Sequence, residues 1–205
     1  LAQQLYEGVE IKGTGAVGLV TYIRTDSTRI SAEALQEARK YIKENYGDSY
    51  LPEDSRIFKN KSAAQDAHEA IRPTYMSMPP DEIKESLSRD QYKLYKLIWD
   101  RFIASQMASA VYDTVSVDIT AGKYLFKANG SKVKFPGFMV LYTEGRDDET
   151  EDDEMNIPEL KEGEEVSLKK LEHKQHFTQP PPRYTEATLV KALEEKGIGR
   201  PSTYA

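Results

Sequence analysis

The 205-residue chain contains no cysteine. This absence excludes disulfide bonds, thiolate metal sites and a cysteine nucleophile. The chain also lacks any apolar run near the roughly 20 residues that cross a bilayer, and its first residues lack the order of a secretory signal peptide. No P-loop sequence is present, so there is no such site for a nucleotide triphosphate. We therefore expect an intracellular protein whose chemistry uses other side chains.

Two short matches to known motifs fail on their context. Residues 13–18 (GTGAVG) have the spacing of a dinucleotide fingerprint, but they precede a predicted strand instead of following one, so they predict a flexible turn. His68-Glu69 begins like the H-E-x-x-H zinc motif, but Arg72 stands where the second histidine is needed. Neither a dinucleotide site nor a zinc site is indicated.

Acidic residues outnumber basic ones and give a formal net charge of −6. Seven acidic residues form one run: Asp147, Asp148, Glu149, Glu151, Asp152, Asp153 and Glu154. Removing these seven negative charges from −6 leaves +1. Such a run is typical of a solvated loop, and the remainder of the chain could carry a local basic face. The overall charge therefore does not exclude nucleic acid as a partner.

The most informative segment is residues 21–27 (TYIRTDS), which follows a predicted short buried strand at 16–20. On an extended backbone alternate side chains share a face, so Tyr22, Arg24 and Asp26 would point the same way. A phenol, a guanidinium and a carboxylate on one face suggest a nucleophile, a group that stabilises phosphate charge, and a residue that orients both. The alternative is packing alone, since strand ends often carry tyrosine and threonine.

A second candidate segment is residues 67–73 (AHEAIRP). It places His68, Glu69 and Arg72 within about one turn before a proline, a combination that suits phosphate binding. The alternative is a histidine that is solvated or satisfied in the core.

A third candidate is residues 197–203 (GIGRPST), at the start of a predicted helix. Its glycines would let a phosphate approach the backbone, while Arg200, Ser202 and Thr203 offer charge and hydroxyl groups. The alternative is an ordinary helix end followed by the cap of the next helix.

Helical periodicity dominates the first half of the chain. It predicts the tail of a helix over 2–7, a helix that Ser31 caps and Gly47 ends, and a short helix near 82–87. Ser88 opens the next helix with a capping box. Its aromatic stripe continues to about Met107 and predicts core packing. Several helices joined by short turns are consistent with a helix-turn-helix-like bundle.

From about residue 112 the apolar residues alternate instead, which predicts strands. Asn129-Gly130 predicts a hairpin turn between strands at 124–126 and 133–135. Further strands are predicted at 138–142 and 166–177, so this region is interpreted as an antiparallel β-domain. Three prolines at 180–182 then interrupt the chain before a helix that Thr185 caps and Gly197 closes.

Four motifs occur in one order: 21–27, 67–73, 181–187 (PPRYTEA) and 197–205 (GIGRPSTYA). Together they closely resemble the central part of bacterial type IA DNA topoisomerases, and topoisomerase I more than topoisomerase III. The resemblance covers essentially the whole chain.

The resemblance implies that Tyr22 attacks a phosphodiester of single-stranded DNA and keeps the 5′-phosphate as a phosphotyrosine. Because a phenol in water ionises near a pKa of about 10, a nearby cation would help it react near neutral pH. Arg24 matches the residue that stabilises the charge of the scissile phosphate, while Asp26 and His68 match residues for positioning and proton handling. The implied DNA-binding residues are Thr25, Ser27, Arg72, Arg200, Ser202 and Thr203.

The implied fold is multi-domain α+β. A helical, helix-turn-helix-like (CAP-like) domain with the tyrosine would span 1–108, the second half of an antiparallel β arch 109–178, and the start of a C-terminal helical DNA-contacting domain 179–205. Such enzymes relax negatively supercoiled DNA without a nucleotide, because transesterification conserves the energy of the phosphodiester.

The resemblance also implies that Mg²⁺ is held by a Toprim domain upstream of Leu1, and we expect no metal in this chain. Both ends lie inside or at the start of predicted helices, so we expect a fragment. By itself it should be inactive, monomeric and at most a weak binder of single strands. The whole enzyme should act in the cytoplasm at the nucleoid, with no membrane partner.

Two other functions stay open at this point. One is a non-enzymatic helix-turn-helix DNA-binding module, for which Tyr22 would be dispensable. The other is a different tyrosine strand transferase, such as a recombinase or a type IB enzyme, which would form the opposite, 3′ linkage to DNA.

Overall fold

Four α-helices and two antiparallel pairs of strands make up the main regular structure of the described residues. The computed structural model describes residues 1–58, 68–143, 157–158, 160–199 and 203. The elements in chain order are α1 (Ala2–Glu7), β1 (Val9–Ile11), β2 (Gly15–Val17), α2 (Ala32–Tyr46), α3 (Arg89–Gln106), β3 (Val111–Ala121), β4 (Tyr124–Phe135) and α4 (Glu186–Glu195). Among these residues, no helix is both long enough and apolar enough to cross a membrane.

The chain divides into two compact units. The first is formed by the described residues of Leu1–Asp113 and Lys132–Asp153, and the second by those of Thr114–Ser131 and Glu154–Ala205. The coarse α+β class is as predicted, whereas the domain boundaries at 108 and 178 stay predictions.

Local capping defines α2 and α3, as predicted. The Ser31 side chain accepts a hydrogen bond from the backbone N–H of Ala34 at the start of α2, and Gly47, with φ of 91°, ends it. At the start of α3, Ser88 and Gln91 exchange side-chain to backbone hydrogen bonds in a capping box. These bonds satisfy amide groups that have no partner inside a helix.

The core of the first unit lies where α2, α3 and the segment before Tyr22 meet. Ala38 and Ile42 of α2 pack with Tyr95, Trp99 and Ile103 of α3 in one apolar cluster. The cluster also contains Leu5 of α1 and Leu19. Burial of an aliphatic side chain stabilises the fold by about 1.5–3 kcal/mol, so this cluster supplies much of the unit's stability.

Aromatic residues join α2 to α3. The rings of Tyr41 and Trp99 meet edge to face, with centroids 5.3 Å apart. Tyr95 is fully buried, and its hydroxyl donates to the carbonyl of Met78 at 2.9 Å. A buried phenol needs such a partner, and burial raises the pKa of Tyr95.

The glycine-rich segment forms the predicted turn, although the strand that follows is shorter than expected. β1 and β2 pair antiparallel, with Ile11 opposite Gly15, and the chain turns between them at Gly13, whose φ is 84°. β2 ends at Val17, so only part of the predicted strand at 16–20 is regular. Leu19 and Val20 are nevertheless buried, and Val20 forms an isolated antiparallel bridge with Pro73.

The predicted hairpin turn at Asn129-Gly130 is wrong. β4 runs through both residues, and the chain turns at Gly122–Lys123, where Gly122 has φ of 61°. The side chains of Ser116 and Asn129 are hydrogen-bonded across the two strands at 2.8 Å. The turn at Gly122–Lys123 lets β3 pair with the long strand β4, and this pairing outweighs the local turn preference of Asn-Gly.

The strand predicted at 138–142 is also wrong, because Gly137–Val140 forms a short 3₁₀-helix. Pro136 has helical backbone angles, and Gly137 has φ of 50°. Gly137 also packs so closely that an added Cβ would lie 2.5 Å from the carbonyl oxygen of Ala108. This close approach requires a turn at Gly137 and ends the extended strand.

Two further predictions need correction. Within the described residues, 166–177 contains no strand, and its large apolar side chains such as Leu168 and Phe177 are exposed. Alternation alone does not make a strand when no partner strand pairs with it. The short helix predicted near 82–87 is limited to a 3₁₀ turn at Lys84–Ser86. Thr185 caps the last helix, α4, as predicted.

The packing of the core can be tested by shortening a buried side chain of α3 and, as a control, an exposed one. Ile103→Ala removes a fully buried side chain and should lower the free energy of unfolding by about 3 kcal/mol. Leu97→Ala, on the exposed side of the same helix, should lower it by about 0.5 kcal/mol or less. Urea denaturation measures both, and equal losses would contradict the packing described.

Alkaline pH should destabilise the first unit. Burial is the main reason why the pKa values of Tyr95, Tyr41 and Tyr46 are raised. In the unfolded chain these phenols ionise near a pKa of about 10, so above that pH the folded state retains protons that the unfolded state loses. Their contribution to stability is therefore complete below about pH 9 and is lost as the pH rises through the folded pKa values.

The loss of stability at alkaline pH can be assigned to a particular tyrosine by urea denaturation at a series of pH values. The free energy of unfolding should fall less steeply with pH in Tyr95→Phe than in the wild type, because one phenol no longer titrates. An equally steep fall in the variant would show that Tyr95 does not contribute.

Candidate active site

The segment that carries Tyr22 is paired with a distant part of the chain. The backbone N–H of Thr21 donates to the carbonyl of Arg72 at 3.0 Å, and that of Thr74 donates to the carbonyl of Leu19 at 2.9 Å. Val20 lies opposite Pro73 in the same antiparallel arrangement. This pairing brings two of the sequence motifs together.

The Thr21 side chain strengthens the pairing. Its hydroxyl donates to the carbonyl of Ala70 at 2.7 Å and accepts from the backbone N–H of Arg72 at 3.0 Å. A hydroxyl can donate and accept at once, so one half-buried side chain satisfies two backbone groups of the other segment. His68, two residues before Ala70, is thereby held close to Tyr22.

The Tyr22 ring contacts two other rings. Its centroid is 4.9 Å from that of His68, with the planes tilted by 49°, and 5.6 Å from that of Tyr6, edge to face at 71°. The residue is nonetheless 38% exposed, so the phenol is both packed and accessible. Both properties suit a nucleophile that must meet a large substrate in a defined orientation.

Tyr6 is a site residue that the motifs did not indicate. The carbonyl of Leu5 accepts a hydrogen bond from the N–H of Leu19 at 2.7 Å, so α1 is bonded to the segment just before Tyr22. Gly18 permits this contact, because an added Cβ would lie 2.7 Å from the carbonyl oxygen of Tyr6. The available signal was helical spacing, which places Gln3 and Tyr6 on one face of α1.

Arg24 shares a cavity with the phenol. The cavity measures about 140 Å³ and is lined by Gln3, Tyr6, Tyr22, Ile23 and Arg24. A larger cavity of about 350 Å³ lies between α2 and residues 75–77, and none of the predicted site residues lines it. Of the candidate catalytic residues, Tyr22 and Arg24 therefore meet at the smaller cavity.

Side-chain exposure alternates along residues 22–26, as the predicted extended backbone requires. Tyr22, Arg24 and Asp26 are exposed, whereas Ile23 and Thr25 are half-buried, although the chain bends at Ile23–Arg24. Within the described part of the chain, neither Arg24 nor Asp26 forms a hydrogen bond or an ion pair. These two charges remain available to a substrate.

Thr25 and Ser27 shape the loop after Tyr22. The Thr25 hydroxyl accepts from the N–H of Ser27 at 3.0 Å, and the Ser27 hydroxyl accepts from the N–H of Arg29 at 3.2 Å. Ser27 is also buried. The carbonyl of Arg29 in turn accepts from the N–H of Ala70 at 2.8 Å, which joins this loop to the His68 segment. DNA contact by Thr25 and Ser27 stays a prediction.

Arg72 is committed to contacts within the chain. Its guanidinium lies 2.7 Å from a Glu69 carboxylate oxygen and donates to the carbonyl of Pro73 at 2.9 Å. Its side chain is only 13% exposed. Such a paired guanidinium stabilises the turn after His68, and its predicted contact with DNA stays a prediction.

The remaining predicted site residues lie near the end of the chain. Arg200 and Ser202 lie outside the described residues, while Thr203 is exposed. No set of three or more histidine, aspartate and glutamate side chains in the described ranges is arranged to hold a metal ion. Those residues therefore do not fit a Mg²⁺ site, and Mg²⁺ binding by another domain stays a prediction.

The arrangement suits phosphoryl transfer. A tyrosine hydroxyl can attack phosphorus, a guanidinium in the same cavity can stabilise the charge of the phosphate, and an adjacent imidazole can exchange protons. Two of these groups, Tyr22 and His68, come from motifs that are far apart in sequence, and the structure brings them into contact.

Comparisons with known proteins indicate the family of this chain. A family model described as DNA topoisomerase matches residues 1–205. Among solved structures, the chain is similar to full-length topoisomerase I from Thermotoga maritima, with a TM-score of 0.73 and 40% sequence identity. The match covers 100% of this chain and 32% of that one, so the chain spans about a third of that protein's length.

The family match over the whole chain and the likeness to a bacterial topoisomerase I confirm the resemblance that the four motifs indicated. The chain belongs to the bacterial type IA DNA topoisomerases.

Proposed function

We propose that this chain carries the nucleophile with which a type IA topoisomerase cleaves one strand of DNA and relaxes negative supercoils. Tyr22 is the nucleophile. The observation that carries the proposal is the contact between the exposed Tyr22 ring and His68, beside a cavity that Arg24 also lines. A packing role alone would not require an accessible phenol with an unpaired guanidinium on the same cavity.

The proposed reaction exchanges one phosphodiester for another. The Tyr22 oxygen forms a bond to phosphorus, the bond from phosphorus to the 3′-oxygen breaks, and a 5′-phosphotyrosine and a free 3′-hydroxyl result. The phenol proton leaves through His68 or water, and the departing 3′-oxygen takes up a proton. Reversal reseals the strand, so no nucleotide is consumed.

Arg24 and Asp26 have distinct proposed roles. Arg24 stabilises the added negative charge that develops on the phosphate oxygens as the phenol attacks. Asp26 lies on the same exposed side of the chain and orients the groups around the phosphate.

The proposed substrate is single-stranded DNA, which negative supercoiling makes available. We further propose that the 205-residue chain does not relax DNA by itself, because its described residues offer no metal site. Activity then requires the longer enzyme that includes a metal-binding Toprim domain. The isolated chain is expected to be monomeric and to bind single strands weakly.

The nucleophile can be tested in that longer enzyme with single-stranded DNA labelled at one end. When the reaction is stopped with detergent, the 3′-end label should remain attached to the protein and the 5′-end label should not, because the phosphotyrosine lies on the downstream fragment. Tyr22→Phe should reduce adduct formation and relaxation by on the order of a thousandfold or more.

Tyr75→Phe provides the matched control, since Tyr75 is also an exposed tyrosine of the first unit and lies outside the cavity. It should react like the wild type. An adduct that survives Tyr22→Phe would refute the proposal. An adduct that retains the 5′-end label would indicate a recombinase or a type IB mechanism, and DNA binding without any adduct would indicate a binding module.

The role of Thr21 gives a second test. Thr21→Val removes the hydroxyl that bonds Ala70 and Arg72 while preserving the shape of the side chain. It should lower the free energy of unfolding by about 1–3 kcal/mol, because two partly buried backbone groups lose their partner. Thr21→Ser keeps the hydroxyl and should recover most of this loss.

The same pair of variants should affect cleavage, because Thr21 holds His68 beside Tyr22. In the longer enzyme, Thr21→Val should slow adduct formation by about tenfold, and Thr21→Ser should not. Denaturation and single-turnover cleavage measure the two effects. If Thr21→Val cleaves at the wild-type rate, the segment pairing does not position the site.

A further inference from the structure

We propose that Tyr6 is a positioning residue for the nucleophile, holding the Tyr22 ring in the orientation from which its oxygen attacks. This inference rests on the proposed function of Tyr22. The motifs that identify the family do not include Tyr6, which lies in α1.

The Tyr22 ring is packed against two neighbouring rings. His68 contacts it with a centroid distance of 4.9 Å, and Tyr6 contacts it with a centroid distance of 5.6 Å. A tyrosine side chain has two rotatable bonds, and exposed aromatic rings exchange rotamers on fast timescales. Two ring contacts restrict this freedom, and the edge-to-face geometry of the Tyr6 contact is an energetically preferred one.

Tyr6 itself is held in place by the residues next to it in α1 and by the segment before Tyr22. Its neighbour Leu5 is fully buried in the core, and the Leu5 carbonyl bonds the N–H of Leu19. Gly18 lets the Tyr6 backbone approach the same segment closely. The two tyrosines therefore lie on segments that are hydrogen-bonded directly to each other, and this bonding keeps their rings close together.

The proposed role of Tyr6 depends on its aromatic ring and not on its hydroxyl. Tyr6 is 41% exposed, and across the described ranges its hydroxyl forms no hydrogen bond. The contact to Tyr22 is made by the aromatic ring. A phenylalanine at this position should therefore preserve the function, whereas an aliphatic side chain should not.

Loss of the Tyr6 ring should affect kcat more than KM. Loss of the ring contact lets Tyr22 populate orientations that do not attack, and only the competent fraction reacts. In the longer enzyme, Tyr6→Leu should lower kcat for cleavage by about threefold to tenfold and leave KM within about twofold. Tyr6→Phe should stay within about twofold of the wild type in both constants.

The matched control is Tyr75→Leu, because Tyr75 is 48% exposed, in the same unit, and has no ring neighbour in the described part of the chain. It should leave both constants unchanged. Tyr6→Met serves as a second variant without an aromatic ring, so that a folding defect specific to leucine is not mistaken for loss of positioning. All variants are compared at a temperature well below their unfolding midpoints.

A second measurement does not depend on activity. In the 205-residue chain labelled with ¹³C-tyrosine, the ring signals of Tyr22 should shift in Tyr6→Leu, because the ring current of Tyr6 is lost. They should stay close to their wild-type positions in Tyr75→Leu. Unchanged Tyr22 signals in Tyr6→Leu would overturn the inference.

The kinetic outcomes separate this inference from the proposed function. If Tyr22→Phe still forms the adduct, the proposed function fails. If Tyr22→Phe is inactive but Tyr6→Leu and Tyr6→Met retain the wild-type kcat, only the positioning role fails. A rise in KM at constant kcat would also overturn it, since that result assigns Tyr6 to DNA binding.

Discussion

The site depends on the short antiparallel pairing between residues 19–21 and 70–74. Backbone bonds join Thr21 to Arg72 and Thr74 to Leu19, and the Thr21 hydroxyl adds two more. Without this pairing, the two motifs would belong to separate loops with no defined distance between them. Hydrogen bonds of this kind contribute modestly to stability, but they determine which side chains become neighbours. Here they make His68 a neighbour of Tyr22.

The polar residues of the two motifs fall into two groups. Those that face inward are satisfied within the chain, as in the Arg72–Glu69 ion pair and the Thr25 and Ser27 turn contacts. Those that face outward, Arg24 and Asp26, have no partner in the described ranges. The alternation of side chains along the segment explains this division. The inward groups fix the shape of the loop, and the outward groups are left for a substrate.

Features set by residues close together in the sequence were predicted better than features that depend on distant residues. The caps of α2, α3 and α4 depend on residues within a few positions, and those helices begin as predicted. Strands depend on their partners, so the alternation at 166–177 was misleading and the Asn129-Gly130 turn was misplaced. The motifs also singled out Tyr22 and His68, and the structure places their rings in contact, while their catalytic roles stay predictions. The hydrogen bonds of the Thr21 hydroxyl and the ring contact between Tyr6 and Tyr22 could not be predicted, because both are contacts between separate segments of the chain.

Tyr22 lies at the edge of the core, and under the proposed function this location has a mechanical consequence. Leu5 and Leu19 belong to the same apolar cluster as α2 and α3, and Tyr6 and Tyr22 follow them at the surface. During strand passage a phosphotyrosine would be the covalent link between the protein and the cleaved 5′ end. A phenol on a mobile loop would let that end move away from the 3′-hydroxyl that must reattack it. Under the proposed function, a DNA end joined to Tyr22 would stay beside the packed core of the first unit and could return to the same position for resealing.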